Sequence, residues 1–440
     1  MLLLRFALLS LLLSLALPAR AVTLLRDPDI EQALRALATP VLQAAGLSPA
    51  RVDILVIDDS SMNAFVIDAD SIFIHSGLIL RMESPAMLQS VIAHEAAHIA
   101  NGHLMRRPIN ARNARTAAAL GTALAAVAGA AAGSGEFAAG AAAGLQGAAM
   151  RSFFSHTRAE ENAADASGMR FLSAAGIDMR GAVQVMELFQ GQEALSVSRQ
   201  DAYARTHPLS RDRFRRIAQL AEAQGRTVTP DPEATYWFAR AKSKLSAFQR
   251  SPKWTLTRAG EYGYEDVKLM RQAIAYHRQA DLRRALAAID GAVALRPSDP
   301  YLHELRGQIL MESRQIKPAV AAYARAANLA PNNALILGSY GRALLADNQT
   351  QKAVQFLETA RSRDGRDIRI LRDLAQANAK LGNTGMASVL TAERYVMAGQ
   401  FKDAKLHAER ASNLLPRGSA AWQRAQDVLF AAEAEEKRRK

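Results

Sequence analysis

The stretch Ser84-Pro85-Ala86-Met87-Leu88-Gln89-Ser90-Val91-Ile92-Ala93-His94-Glu95-Ala96-Ala97-His98 decides how the N-terminal half of the chain is read. Serine followed by proline is a helix start, with Ser84 at the N-cap and Pro85 where a missing N–H costs nothing. Met87, Leu88, Val91 and Ile92 form the apolar side, and the helix runs on into His94-Glu95-Ala96-Ala97-His98. Histidines four apart sit one turn apart on one face, so both imidazoles can reach one ion. Glu95 is offset by one residue, where it can meet a water at that ion and act as general base.

A catalytic zinc needs a third protein ligand and leaves a position for water. Arg158-Ala159-Glu160-Glu161-Asn162-Ala163-Ala164-Asp165 has helical character and offers one. Glu161 has a second carboxylate, Asp165, one turn on, whereas Glu160 has only Ala164 there. This favours Glu161 as ligand and Asp165 as the group that orients a zinc histidine through its far N–H.

Working outward, residues 22–45 read as a helix, and Val52–Ile57, Phe65–Ile67 and Ser71–His75 read as strands. Ser71–His75 is expected to be an edge on which an extended substrate adds by β-pairing. Residues 117–150 hold 24 alanines and glycines and one charge, Glu136. Alanine and glycine carry little transfer energy, so a packed helical hairpin or flap is expected rather than a membrane span. Pro230-Asp231-Pro232 marks a boundary. Beyond it Ala285, Ala319, Ala353 and Ala387 recur every 34 residues, as do Pro297 and Pro331, and Ile289, Tyr323 and Leu357 hold one apolar register. A 34-residue helix–turn–helix period is the tetratricopeptide signature, and Ala420–Lys440 reads as its capping helix.

The series Asn63-Ala64-Phe65, Ser76-Gly77-Leu78, HExxH with His103, Arg158-x-x-Glu161-x-x-Ala164-Asp165-x-x-Gly168 and Thr206-His207-Pro208 with Arg213 resembles the HtpX-type family of zinc metallopeptidases. With the repeats, the chain resembles its periplasmic, β-barrel assembly-enhancing branch. Val66-Ile67-Asp68-Ala69-Asp70 departs from the glycine-rich turn common in the family. The resemblance implies one Zn2+ per chain held by His94, His98 and Glu161, with Glu95 as base and Asp165 behind a histidine. It implies His207 as a fourth ligand that holds the enzyme latent, while Arg213 is free to meet substrate or a carboxylate. His75, His103, His156, His277, His303 and His407 read as structural.

The expected fold is mainly α with a small β-sheet: a gluzincin-like peptidase domain over 22–230, then a tetratricopeptide solenoid over 231–440. Residues 1–21 read as a signal peptide, with Arg5 before the apolar run Phe6–Leu17 and cleavage after Ala21, which in a Gram-negative source means the periplasm. The chain has no cysteine, which excludes disulfides, a cysteine nucleophile and a lipidated N-terminus. The net charge is +13. The leader accounts for +2; 22–230 carries 19 basic and 20 acidic residues, and 231–440 carries 34 and 22, so the excess lies in the repeats. That points to a basic docking surface for an acidic partner or, peripherally, the anionic envelope, or to solvated arginines; the resemblance implies the β-barrel assembly machinery as such a partner. Nucleic acid is not an expected partner, because no motif for it appears. Together these features suggest a secreted endopeptidase of envelope quality control that cleaves unfolded or misassembled proteins. The alternative is a chaperone or scaffold for outer-membrane assembly with a largely latent protease site.

Overall fold

The computed structural model describes residues 24–103 and 158–439, apart from 193, 194, 196–198, 208, 226, 227, 230 and 366. The expected leader, the segment 117–150, His156 and Pro208 lie outside the described residues. Contacts divide the chain into one unit of Met1–Leu25 with Arg35–Asp231, and a second of Arg26–Leu34 with Pro232–Lys440. Among the described residues no helix is long and apolar enough to cross a membrane.

The first unit has a four-stranded sheet: β1 (Leu24–Leu25), β2 (Asp53–Ile57), β3 (Ala64–Asp68) and β4 (Ser71–His75), in the order β1-β2-β4-β3. β2 and β4 are parallel, while β1 and β3 pair antiparallel with their neighbours. The expected edge strand, Ser71–His75, is therefore interior, and the edges are β1 and β3. The cause is the short hairpin, which folds β3 to the outside of β4 and leaves β4 free to pair with β2. The first helix begins at Pro28 rather than Val22, because Leu24 and Leu25 are taken by the sheet and the Asp27 carboxylate accepts from the backbone N–H groups of Asp29 and Ile30.

The helix Pro85–Ala100 starts as its sequence dictates, with the Ser84 side chain accepting from the backbone N–H of Met87. Every residue from Met87 to His98 is buried, so the helix is enclosed on all sides. Two glycines let helices close on it. A Cβ at Gly168 would lie 3.3 Å from the Ala93 backbone, and one at Gly181 only 2.5 Å from that of Ala86. Gly168 belongs to the helix at 158–174, which carries Glu161 and Asp165; Gly181 lies near the start of Arg180–Leu188. Arg211–Ala223, capped by Ser210, completes the unit's major helices.

The second unit is a tetratricopeptide-type solenoid of helix pairs. The second helices begin at Leu282, Ile316, Thr350 and Thr384, 34 residues apart. Asp299, Asn333 and Asp367 cap the first helices at the same spacing through side-chain oxygens. Ala280, Arg314, Asn348 and Gly382 turn each pair with positive φ of 58°, 61°, 60° and 79°. The repeated alanines Ala285, Ala319 and Ala353 are fully buried. Ala420–Arg439 packs on Phe401–Leu414 as the terminal helix.

Arg26–Leu34 clusters with the solenoid for an ionic reason. Arg240 Nε lies 2.6 Å from Asp29 Oδ1, Lys244 Nζ 2.9 Å from Asp27 Oδ2, and Arg26 contacts Asp364 at 2.5 Å. Arg240 also reaches Asp299 and Tyr236, and three rings (Tyr236, Trp237 and Tyr301) lie within 6 Å of its guanidinium. These buried cations are thus paired, as burial of a charge demands.

Candidate metal centre

Four buried donors converge between three elements. The helix Pro85–Ala100 supplies His94 and His98, the helix at 158–174 supplies Glu161, and the short helix Ala202–Thr206 ends at His207. His94 Nε2 lies 3.1 Å from His98 Nε2 and 3.2 Å from His207 Nδ1. The Glu161 carboxylate lies 3.3 Å from both His94 Nε2 and His98 Nε2, and 3.1 Å from His207 Nδ1. One ligand atom from each of the four residues lies within 4.8 Å of all the others, close enough for a single ion to reach all four. Three imidazole nitrogens and a carboxylate meet in one buried cluster, a donor set of the kind that holds a catalytic divalent ion. The donor set therefore fits a divalent metal ion.

Each imidazole has a partner on its far side, and for His94 and His207 that partner is an acceptor that favours the ligating tautomer. His94 Nδ1 lies 3.0 Å from Asp165 Oδ1, which keeps the proton on Nδ1 and frees Nε2. His207 Nε2 donates to the backbone carbonyl of Ala64 at 3.2 Å, which frees Nδ1. His98 Nδ1 lies 3.0 Å from His103 Nδ1. His103, read from sequence as structural, thus touches a ligand. Five residues along a helix do not share a face with His98, but Gly102, with φ +66°, turns the chain back so that His103 meets the ring from behind.

Of the two partners expected for Arg213, substrate or a carboxylate, the structure shows the second. Arg213 is buried, and its guanidinium grips Asp165 through two bonds of 2.7 and 2.8 Å while Nη1 lies 3.1 Å from Glu161. It is committed to the two carboxylates rather than presented to substrate. Glu160 is buried but is not one of the four converging donors, which leaves Glu161 as the carboxylate of the cluster.

The electrostatics follow from these contacts. Burial opposes charge on His94, but with no cation at the centre Asp165 and Glu161 outweigh it and raise the imidazole; a bound ion would take the place of the Nε2 proton. On His98 burial prevails and pushes it down to about 3. Burial would raise Glu161, yet His207, His94 and His98 hold its carboxyl well below the usual range. Asp165 is likewise opposed by burial and brought down to about 2 by Arg213 and His94.

Glu95 is fully buried, with Oε1 3.3 Å from His207 Nε2. Tyr203, which sequence reasoning missed, lies four residues before His207 with its ring centroid 4.7 Å from the imidazole. That i, i+4 spacing on a short helix was the available signal. Burial and the Glu95 charge push the Tyr203 hydroxyl well up, so it stays protonated. His75 packs beside the site on Ser61 and the edge of Phe65. In the second unit, His277 and His303 bond to Glu312 and the Pro297 carbonyl, and His407 stacks on Tyr395.

A buried HExxH helix completed by a glutamate from a second helix defines a metallopeptidase, whose substrates are proteins. The sequence comparisons agree with the geometry. Residues 25–221 match the model of Peptidase family M48. It is 26% identical over 412 residues to the β-barrel assembly-enhancing protease of Escherichia coli (strain K12), covering 90% of this chain and 81% of that protein. It is 26% identical over 423 residues to the putative β-barrel assembly-enhancing protease of Vibrio cholerae, covering 91% and 83%. Among solved structures, MamA aligns at 15% identity and a TM-score of 0.30 over 38% of this chain and 95% of that one.

Proposed function

We propose that the protein is a periplasmic zinc endopeptidase that removes unfolded or misassembled envelope proteins, and that it rests in a closed state. The observation that carries this is the four-donor set. Three donors, His94, His98 and Glu161, leave a catalytic zinc one open position, and His207 fills it. Zinc bound there supplies Lewis acidity, which acidifies water and polarises the scissile carbonyl. Glu95, beside the open position, takes the proton of the attacking water and later delivers it to the leaving amine. Asp165 and His103 hold the two helix histidines in register, and Arg213 holds both carboxylates in place.

Substrate would add along β3, the sheet edge nearest the centre. His75 N–H bonds to the Asn63 carbonyl, so by alternation the Ala64 backbone faces away from β4, and there His207 occupies its carbonyl. His207 in place therefore closes both the open position and the first pairing site. Extended chains are what such an edge accepts, which suits a quality-control enzyme. The similarity to β-barrel assembly-enhancing proteases supports outer-membrane proteins as clients and the assembly machinery as a partner of the basic solenoid. The predicted signal peptide supports the periplasm.

A chaperone or scaffold role with a latent protease is the second reading, favoured by the same closed donor set. Zinc-loaded Glu95→Gln and His207→Ala separate the two readings. The first should keep zinc and lose cleavage of an unfolded protein such as reduced casein; the second should cleave at least about tenfold faster than wild type, at roughly 1.4 kcal/mol per tenfold. Cleavage by Glu95→Gln at the wild-type rate would refute the mechanism. Restored outer-membrane assembly in cells carrying only Glu95→Gln would favour the chaperone reading.

A further inference from the structure

A second cavity, of about 460 Å³, lies in the peptidase unit between the end of the helix Arg180–Leu188 and the start of Arg211–Ala223. Its size is that of ordinary ligand pockets, roughly 300–1,000 Å³. Met186, Phe189, Leu209 and Phe214 give it an apolar floor, while Arg211 and Arg215 stand at it and no carboxylate lines it. Arg215 has only a loose, exposed contact with Asp212 at 3.6 Å. Arg211 pairs with no carboxylate among the described residues. An apolar pocket with two available guanidiniums fits a large apolar side chain next to a carboxylate.

The cavity is also joined to the metal centre by ring contacts. Phe189 in its wall stacks on Tyr203, with centroids 4.8 Å apart, and Tyr203 lies against His207 at 4.7 Å. Leu209, also in the wall, follows His207 by two residues. A ligand that moves Phe189 or Leu209 therefore acts on the segment that holds His207.

We propose that this cavity binds an extended segment of a client protein through a large apolar side chain adjacent to an acidic one, and that its occupation draws His207 away from the other three donors. This rests on the reading of His207 as the closing ligand. The cavity would make opening depend on a client that carries such a pair, adding selectivity remote from the scissile bond.

The probe is a fluorescein-labelled Gly/Ser octapeptide with one internal Phe-Glu pair, its C-terminus amidated, with Phe-Gln and Ala-Glu peptides as controls. Binding to zinc-loaded full-length protein is read by anisotropy, and cleavage of reduced casein is read with unlabelled peptide present. The expected result is that Arg211→Gln with Arg215→Gln, and each control peptide, weakens binding at least tenfold. The Phe-Glu peptide should speed casein cleavage by wild type and leave the already open His207→Ala unaffected. Equal binding to wild type and the double-arginine variant would overturn the proposal and leave the peptidase reading intact. Arginine-dependent binding without faster cleavage would overturn the link to His207. If His207→Ala alone is no faster than wild type, the closed-state reading itself fails, a result the binding arm does not share.

Discussion

At the scale of single residues, the centre depends on groups that never touch the ion. Asp165 is the clearest case: it orients His94 and is itself clamped by Arg213. Removing such a partner typically lowers metal affinity 10–100-fold. Asp165→Asn is therefore expected to weaken zinc binding by about that factor, read by competition with a chromophoric chelator; unchanged affinity would show that the His94 tautomer is fixed by something else. The pH sense follows from the lowered carboxyl. A group brought down from about 3.9 to about 2 contributes stability that is complete above pH ~4 and is lost as pH falls through 2. The Asp165–Arg213 pair thus stays intact at any mildly acidic pH.

At the scale of elements, close approach and turn geometry set the repeat. A Cβ on Gly341 would lie 2.5 Å from Leu357 Cγ, so Gly341→Ala must displace that buried side chain or the helix that carries it. It should cost about 1–3 kcal/mol, read as a lower denaturation midpoint at constant slope. Ala280, by contrast, carries φ 58°, which costs a non-glycine residue roughly 1 kcal/mol. Ala280→Gly relieves that strain and should leave the midpoint unchanged or higher despite the looser unfolded chain. A clear fall would mean the left-handed turn is not strained.

The same elements explain what was legible in the sequence. The HExxH helix was readable because Ser84-Pro85 and the histidine spacing are local signals, and the solenoid because its 34-residue period repeats residue types. Glu161 was readable from its i+4 carboxylate. Strand order was not, since pairing of β4 with β2 is a contact between segments with no local mark. In the structure the difference shows as burial: Ser71–His75 is buried at four of five positions, whereas β3 runs out into exposed Ile67 and Asp68. The grip of Arg213 on Asp165 and Glu161 likewise joins residues 48 and 52 apart, beyond any helical register.

At the scale of the whole molecule, the excess positive charge is partly spent inside the second unit. Arg240 and Lys244 are buried against Asp27, Asp29 and Asp299. Glu304 joins that cluster, and burial, with Asp27 and Asp29 nearby, raises its carboxyl to about 7 despite Lys244. A carboxyl raised in the folded state stabilises fully below its unfolded value of about 4.3, and this is lost as pH rises through 7. Glu304→Gln of the full chain should therefore melt with wild type at pH 4 and above it at pH 8. A lower Tm for the variant at pH 8 would mean that ionised Glu304 is a net asset to Lys244.

The central claim is a zinc held by His94, His98 and Glu161 and closed by His207. Zinc K-edge X-ray absorption on the full-length protein tests it without relying on activity. The account predicts one zinc per chain with four light ligands near 2.0 Å. Three should be imidazoles in wild type, falling to two in His207→Ala with zinc retained. An unchanged imidazole count on that substitution, or a wild-type protein that binds no zinc, would contradict it.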